Sequence, residues 1–276
     1  MRVITNEHRI KRGRRAGTIL FFVSLLVLTG GLLFTNLLVL DTSLMLFVPC
    51  IIMPVGLVTT LASVRLTNRW VRTPRPEVVL TEGLVGIDKR STLLNYMPLA
   101  DHVLITPYGV YTLTTRFQTG SFKVEGDVWT DYKARGPLGP LFLFLRQENI
   151  GKPFEEAEQT AAKVQAAIDA ALPDSAIPVE PIVVFLNDRA TLELYGPTIP
   201  VVYASSKKPS LKGVLREDRK AKTKKPAPKG KGEASPEDED DFEPLTDYEI
   251  QTVEETIMAA LTPAEKAILE DVEVST

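Results

Sequence analysis

Two runs without a charged residue dominate the first quarter of the chain. GTILFFVSLLVLTGGLLFTNLLVL spans Gly17 to Leu40, and LMLFVPCIIMPVGLVTTLASV spans Leu44 to Val64. At about 1.5 Å of rise per residue the first run reaches roughly 36 Å as a helix, more than a hydrocarbon core of about 30 Å requires. Only Asp41, Thr42 and Ser43 separate the runs, so the pattern predicts a tight transmembrane hairpin over 17–64, its helices near 17–40 and 44–64. Pro49 and Pro54 are kink positions that membrane helices tolerate. A cleaved signal peptide fits less well: the first run exceeds an h-region of about 7–15 residues, and no small-residue cleavage site precedes a soluble segment.

The flanks orient the hairpin. Arg9, Lys11, Arg12, Arg14 and Arg15 precede it, Arg65, Arg69, Arg72 and Arg75 follow it, and Asp41 stands alone at the tip. Basic flanks stay inside, which predicts a multi-pass protein of the inner (cytoplasmic) membrane, with the lipid bilayer as a partner, both termini cytoplasmic and Trp70 at the interface. Neither span holds an ionisable residue that would mark a transport path.

The net charge of −3 hides this segregation. The chain has one cysteine, Cys50, which lies in an apolar run, and two histidines, His8 and His102; an internal disulfide framework, a cysteine zinc site and a His-rich metal centre are therefore disfavoured. After a basic N-terminus over 1–16, the hairpin and a Pro-containing linker over 65–76, one domain is expected over 77–219. Its reading starts with a short helical segment around Val78 to Ile87. Strands follow in TLLNYMPLA, at Val103 to Ile105 and from Val110 to Phe117. SFKVEGDVWTDY reads as a hairpin around its EGD turn. GPLGPLFLFLRQENIGKP is a loop with an apolar segment of open identity. Pro153 to Leu172 is the clearest soluble helix, with Pro in its first turn, acids at its N-terminal end and an apolar stripe of Ala157, Ala161, Val164, Ala167 and Ile168. VEPIVVFLN reads as a buried strand, TIPVVYAS as another and SLKGVLRE as the start of a helix. Strands, then helix, then strand predict an α/β (α+β) domain.

Beyond the domain, 220–244 is a charged stretch with little to bury and is expected to be disordered. Over 245–276, TDYE and TPAE have the capping-box form, and Ile250, Val253, Ile257 and Leu261 share a helical face, so a terminal helix pair should dock on something, a protein partner included. The Lys207-to-Lys231 run offers a basic surface for nucleic acid or anionic lipid; the EDEDDFE that follows could neutralise it, leaving a solvated linker.

One strand pair carries the candidate chemistry. Alternate residues of a strand share a face about 6.6 Å apart, so Val110, Thr112, Thr114 and Arg116 point one way and Tyr111, Leu113, Thr115 and Phe117 the other. The first set turns polar near Asp101 on the neighbouring strand. A metal-dependent phosphodiesterase wants two carboxylates on adjacent strands for a divalent cation and a lysine near the attacking water. Asp101 equally suits a turn cap, and Arg116 an ion-paired strand end. His102 alternates to the opposite face from Asp101 and reads as structural, and Trp129 as a core or hairpin-packing aromatic. Glu125, Asp127 and Asp131 are hairpin acids that serve a turn or supply a displaced carboxylate.

MPLADHVLITPYGVYTLTTRFQTGSFKVEGDVW resembles the nuclease-related domain (NERD), a branch of the restriction-endonuclease-like fold: an Asp-His-Val strand, a Gly-Val-Tyr turn into the next strand, QTG after it, and a tryptophan following a hairpin. GKPFEEAEQTAAKVQAAI is similar to that family's Asn-Pro-x-x-Gln-Ala helix and PIVVFLN to its later core strand; the resemblance covers roughly Glu82 to Arg216. It implies a restriction-endonuclease-like core sheet with flanking helices and catalytic positions at Asp101, Thr114 and Arg116. Asp101 matches the metal-binding aspartate, Thr114 stands where the glutamate belongs and Arg116 where the lysine belongs. Leu99 falls at a glutamine position, Glu156 at the helix glutamine, and Glu82 matches the early helical glutamate. Threonine is a poor ligand for Mg²⁺, and arginine cannot take a proton from water although it can grip phosphate. The expectation is therefore a membrane-anchored domain that binds nucleic acid or a protein partner without cleaving. The alternatives are a Mg²⁺-dependent nuclease using Asp101 with Glu125 or Glu82, and a purely structural membrane-bound platform.

Overall fold

The computed structural model describes residues 1–37, 42–71, 73–131, 150–223 and 243–273, and the chain divides into two compact units. One unit is a helical hairpin: α1 (Glu7–Leu37) and α2 (Thr42–Trp70) pack along each other. Both helices are longer than the apolar runs, because the Arg- and Lys-rich flanks are good helix formers and simply continue the turns. Their windows Glu7–Leu33 and Cys50–Trp70 are long and apolar enough to cross a membrane. Side chains at Gly31 and Gly56 would run into Ile52 and Leu28 of the facing helix, so absent side chains there set the close approach. Large apolar residues point outward, among them Phe22, Leu26, Ile51 and Met53.

The other unit is built on a six-stranded sheet. Its strands are β1 (Arg2–Thr5), β2 (Thr92–Asn95), β3 (His102–Thr106), β4 (Gly109–Arg116), β7 (Val179–Phe185) and β9 (Val201–Tyr203), in that spatial order. β3 runs antiparallel to β2 and β4, whereas β1–β2, β4–β7 and β7–β9 are parallel. A smaller sheet orders β6 (Val128–Asp131), β5 (Ser121–Glu125) and β8 (Thr191–Tyr195). β8 alternates exposed Thr191, Glu193 and Tyr195 with half-buried Leu192 and Leu194, which pack against the core.

β1 corrects the expected division of the chain. Residues 1–16 do not form one basic tail: Val3-Ile4-Thr5, β-branched throughout, pair with Leu93-Leu94-Asn95, and Ile4 enters the core. The chain thus lays down an edge strand of its own sheet before the hairpin begins.

Helices cover both faces. On one face α4 (Pro153–Ala171) places Val164 and Ile168 against Val103, Ile105 and Val110, and Phe154 and Ala157 against Val183 and Phe185. On the other, α3 (Pro76–Gly83) and α5 (Leu211–Thr223) bring Leu80, Leu211 and Leu215 onto Leu104, Tyr111 and Val184. The result is a mixed α/β architecture with a mostly parallel sheet between helices.

The C-terminal pair docks on its own domain. In α6 (Asp247–Ala259) the Thr246 hydroxyl accepts from the Glu249 amide while the Glu249 carboxylate accepts from the Thr246 amide, a complete capping box. Ile250, Val253, Ile257 and Leu261 fill the cluster of Leu94 and Val103, and the nearly buried Glu254 pairs with Arg2 of β1. α7 (Pro263–Glu273) follows. The expected charged linker starts later than position 220, since α5 continues to Thr223; the rest of that stretch, and most of the GPLGPLFLFLRQENIGKP segment, lie outside the described residues.

α3 ends where a Cβ on Gly83 would run into the carbonyl oxygen of Ala204, backbone that cannot swing aside. Gly83→Ala is expected to cost about 1–3 kcal/mol, read as a lowered denaturation midpoint of the purified full chain by circular dichroism, with Glu82→Ala on the same helix as the near-neutral control.

Candidate functional site

The β3–β4 hairpin pairs Val103 with Thr112, Leu104 with Tyr111 and Ile105 with Val110. Counting on in that register sets Asp101, one residue before β3, opposite Thr114. Val103, Ile105 and Val110 belong to the cluster under α4, and Leu104, Tyr111 and Leu113 to the opposite one. Alternation therefore turns Asp101, Thr112, Thr114 and Arg116 to the α4 face. The three motif positions share one side of two neighbouring strands.

Asp101 is half-buried, and its entry into the strand is held by a polar network. Its carbonyl accepts from the Tyr96 amide at 2.5 Å. Tyr96 has φ 60, a left-handed conformation that bulky residues avoid. Its phenol donates to the buried Glu77 carboxylate at 2.8 Å, and its ring meets His102 edge-on at 5.1 Å. His102 Nδ1 lies 2.8 Å from Asn95 Oδ1, and the Asn95 amide donates to Thr5 Oγ1 at 3.1 Å. His102 is thus a buried structural residue. Periodicity alone missed Glu77, Asn95 and Tyr96, although adjacent Asn and Tyr inside an apolar strand were the available signal.

Arg116 is ion-paired. Its guanidinium donates to Glu156 at 2.6 Å and to the Thr115 carbonyl at 3.1 Å; its side chain is 11 % exposed, that of Glu156 56 %. Glu156 comes from the first turns of α4, so the positions matched to the family's lysine and helix glutamine meet in space. Leu99 packs, partly buried, against the core under α4.

The other acids lie elsewhere. Glu82 is exposed on α3, the helix of the opposite face. Glu125 pairs with Lys123 in the smaller sheet, and Asp127 accepts from the Thr198 hydroxyl. The side chain of Asp131 lies outside the described residues. Among the described residues no three His, Cys, Asp or Glu side chains gather where they could hold a metal ion. Trp129 packs its ring on Phe154 and Phe185, centroids at 5.1 and 6.2 Å.

Of the Lys207-to-Lys231 run, Lys207 is tied to the carbonyls of Asp188 and Ala190 at 2.7 and 2.6 Å and lies over the Tyr203 ring. Lys222 pairs with Glu180 at 2.6 Å and Asp218 at 2.8 Å, and the Tyr111 phenol donates to Asp218. Burial, then Asp218, pushes the Tyr111 phenol far up, so it stays protonated; burial pulls the Lys222 ammonium down, but Asp218 and Glu180 outweigh it and its pKa is raised. Positions 224–231 lie outside the described residues.

No family model, no curated protein and no solved structure matches the chain.

Glu156→Gln leaves a mostly buried guanidinium without its counter-charge, a loss of about 1 kcal/mol because the carboxylate side is solvent-screened. In the Arg116→Met/Glu156→Gln double variant most of that loss is expected to return. Thermal melts of the four-member cycle check both values.

Proposed function

We propose that the chain is a membrane-anchored, cytoplasmic, NERD-like domain protein that binds nucleic acid or a protein partner without cleaving it. The observation that carries this is the pairing of Arg116 with Glu156 beside a neutral Thr114. Metal-assisted phosphodiester cleavage needs paired anionic oxygens around the cation and a proton-handling group at the water. Here the face offers Asp101 with a hydroxyl opposite it, and the cation at the lysine position is already answered by Glu156. The mixed sheet with helices on both faces, and the shared face of Asp101, Thr114 and Arg116, support a restriction-endonuclease-like reading. Glu82 and Glu125, the acids that would serve an active nuclease, sit on an opposite-face helix and in a lysine pair.

Membrane anchoring rests on the outward apolar surface of α1 and α2, larger than a water-exposed helix pair tolerates. Because β1 pairs with β2, the strand before the hairpin and the domain after it belong to the same unit. Both ends of the hairpin therefore lie on one side of the bilayer, and the arginine-rich flanks choose the cytoplasmic side.

The test uses the full chain in nanodiscs of neutral lipid, incubated with single- and double-stranded DNA and RNA plus Mg²⁺ or Mn²⁺. Intact substrate in every arm is expected; binding that weakens steeply with salt identifies nucleic acid as the ligand, and its absence directs the reading to a protein partner. Metal-dependent cleavage that Asp101→Ala abolishes would overturn the proposal.

A further inference from the structure

On the sheet face away from Asp101, a cleft opens between α5, the loop joining α3 to β2, and the β3–β4 turn. Lys212, Arg216 and Arg219 of α5 line it, together with Tyr108, Ser91 and Asp88, around a cavity of about 70 Å³. Spacings of four and three residues put the three cations on one stripe of the helix, while Leu211 and Leu215 on the adjoining stripe are buried in the core. Two of the cations are positioned: Lys212 donates to the Val85 carbonyl, and the Arg219 guanidinium lies 4.6 Å over the Tyr108 ring. Arg216 is exposed, and no carboxylate answers it or Arg219 among the described residues. Asp88 is the acid in the lining; one of its oxygens accepts the Arg90 amide at 3.0 Å. The lining keeps an excess of positive charge.

Ser91 adds an independent sign. It is 0 % exposed, lines the same cleft, and its hydroxyl finds no hydrogen-bond partner among the described residues. A buried hydroxyl without a partner is costly and rare, so each case calls for a reason such as a bound group.

We infer that this cleft binds a phosphate group, with the guanidinium groups of Arg216 and Arg219 and the Lys212 ammonium around the oxyanion and the Ser91 hydroxyl donating from below. Guanidinium forks match tetrahedral oxyanions, two N–H donors at a time. The cavity suits one phosphate-sized group, whether free or the headgroup of an anionic phospholipid. The inference does not depend on the reading of Asp101, Thr114 and Arg116, which face the other way.

The purified full chain in detergent is titrated with inorganic phosphate against chloride at matched ionic strength, and in a parallel arm with short-chain phosphatidic acid against phosphatidylcholine, following the melting temperature. A saturable rise in at least one arm is expected; a rise in both assigns a site for phosphate however carried, and one confined to phosphatidic acid assigns a lipid headgroup. Arg216→Ala and Arg219→Ala should each weaken binding about tenfold, while Lys220→Ala, which removes the same charge from the same helix outside the cleft, leaves it unchanged. Ser91→Ala should weaken binding yet raise the melting temperature of the unliganded protein, as removal of an orphan hydroxyl predicts. No rise in either arm, or a rise that Arg216→Ala and Arg219→Ala leave intact, overturns the assignment.

Discussion

The register of β4 between β3 and β7 decides what the domain can do. β4 pairs antiparallel with β3 and parallel with β7, in line from Val110 opposite Val179 to Arg116 opposite Phe185. Both faces from Val110 to Leu113 are buried, so a slip of one residue would drive Thr112 into one core and Tyr111 into the other. With the register fixed, even-numbered residues carry Thr114 and Arg116 toward α4, and Tyr111 leads the odd-numbered set toward α5. One strand thereby backs two chemically different surfaces: one that carries Asp101 and the Arg116–Glu156 ion pair, and a basic cleft on the reverse.

A second constraint comes from the path of the chain. β1 pairs with β2 across eighty-odd intervening residues that include the whole hairpin. Arg2 then reaches the nearly buried Glu254, which ties the first residues of the chain to one of its last helices. The helical hairpin is thus inserted into the domain near its N-terminus, between two strands of one sheet, and not appended to it. A domain wired this way joins both ends of the hairpin to strands of one sheet.

Much of this was legible in the residues. The apolar runs revealed the hairpin helices, Ala157, Ala161, Val164 and Ile168 revealed α4, and the alternation after Gly109 revealed β4, because in each the burial pattern is written in the side chains themselves. The capping-box letters likewise marked α6. What stayed hidden depends on partners distant in sequence. β1 is four residues long, and its strand character rests on a mate some ninety positions away. The pairing of Arg116 with Glu156 requires knowing that α4 crosses β4, and the buried set of Glu77, Asn95, Tyr96 and His102 joins three elements through hydrogen bonds that no period encodes. The α6 stripe reads as a docking face, but spacing does not encode that its mate is the domain's own sheet. The cleft beside α5 is legible in the sequence only as a basic run; folding separates its cations into those spent on carbonyls and carboxylates, such as Lys207 and Lys222, and those left at a cavity, Arg216 and Arg219.

Position 114 offers the most direct measurement. Divalent-cation binding to the full chain in detergent, followed as Mn²⁺-dependent stabilisation, should be absent in the native protein and appear in Thr114→Glu, where a carboxylate would face Asp101, but not in Thr114→Gln or Thr114→Glu/Asp101→Asn. Saturable Mn²⁺ binding by the native chain that Asp101→Asn removes would contradict the account.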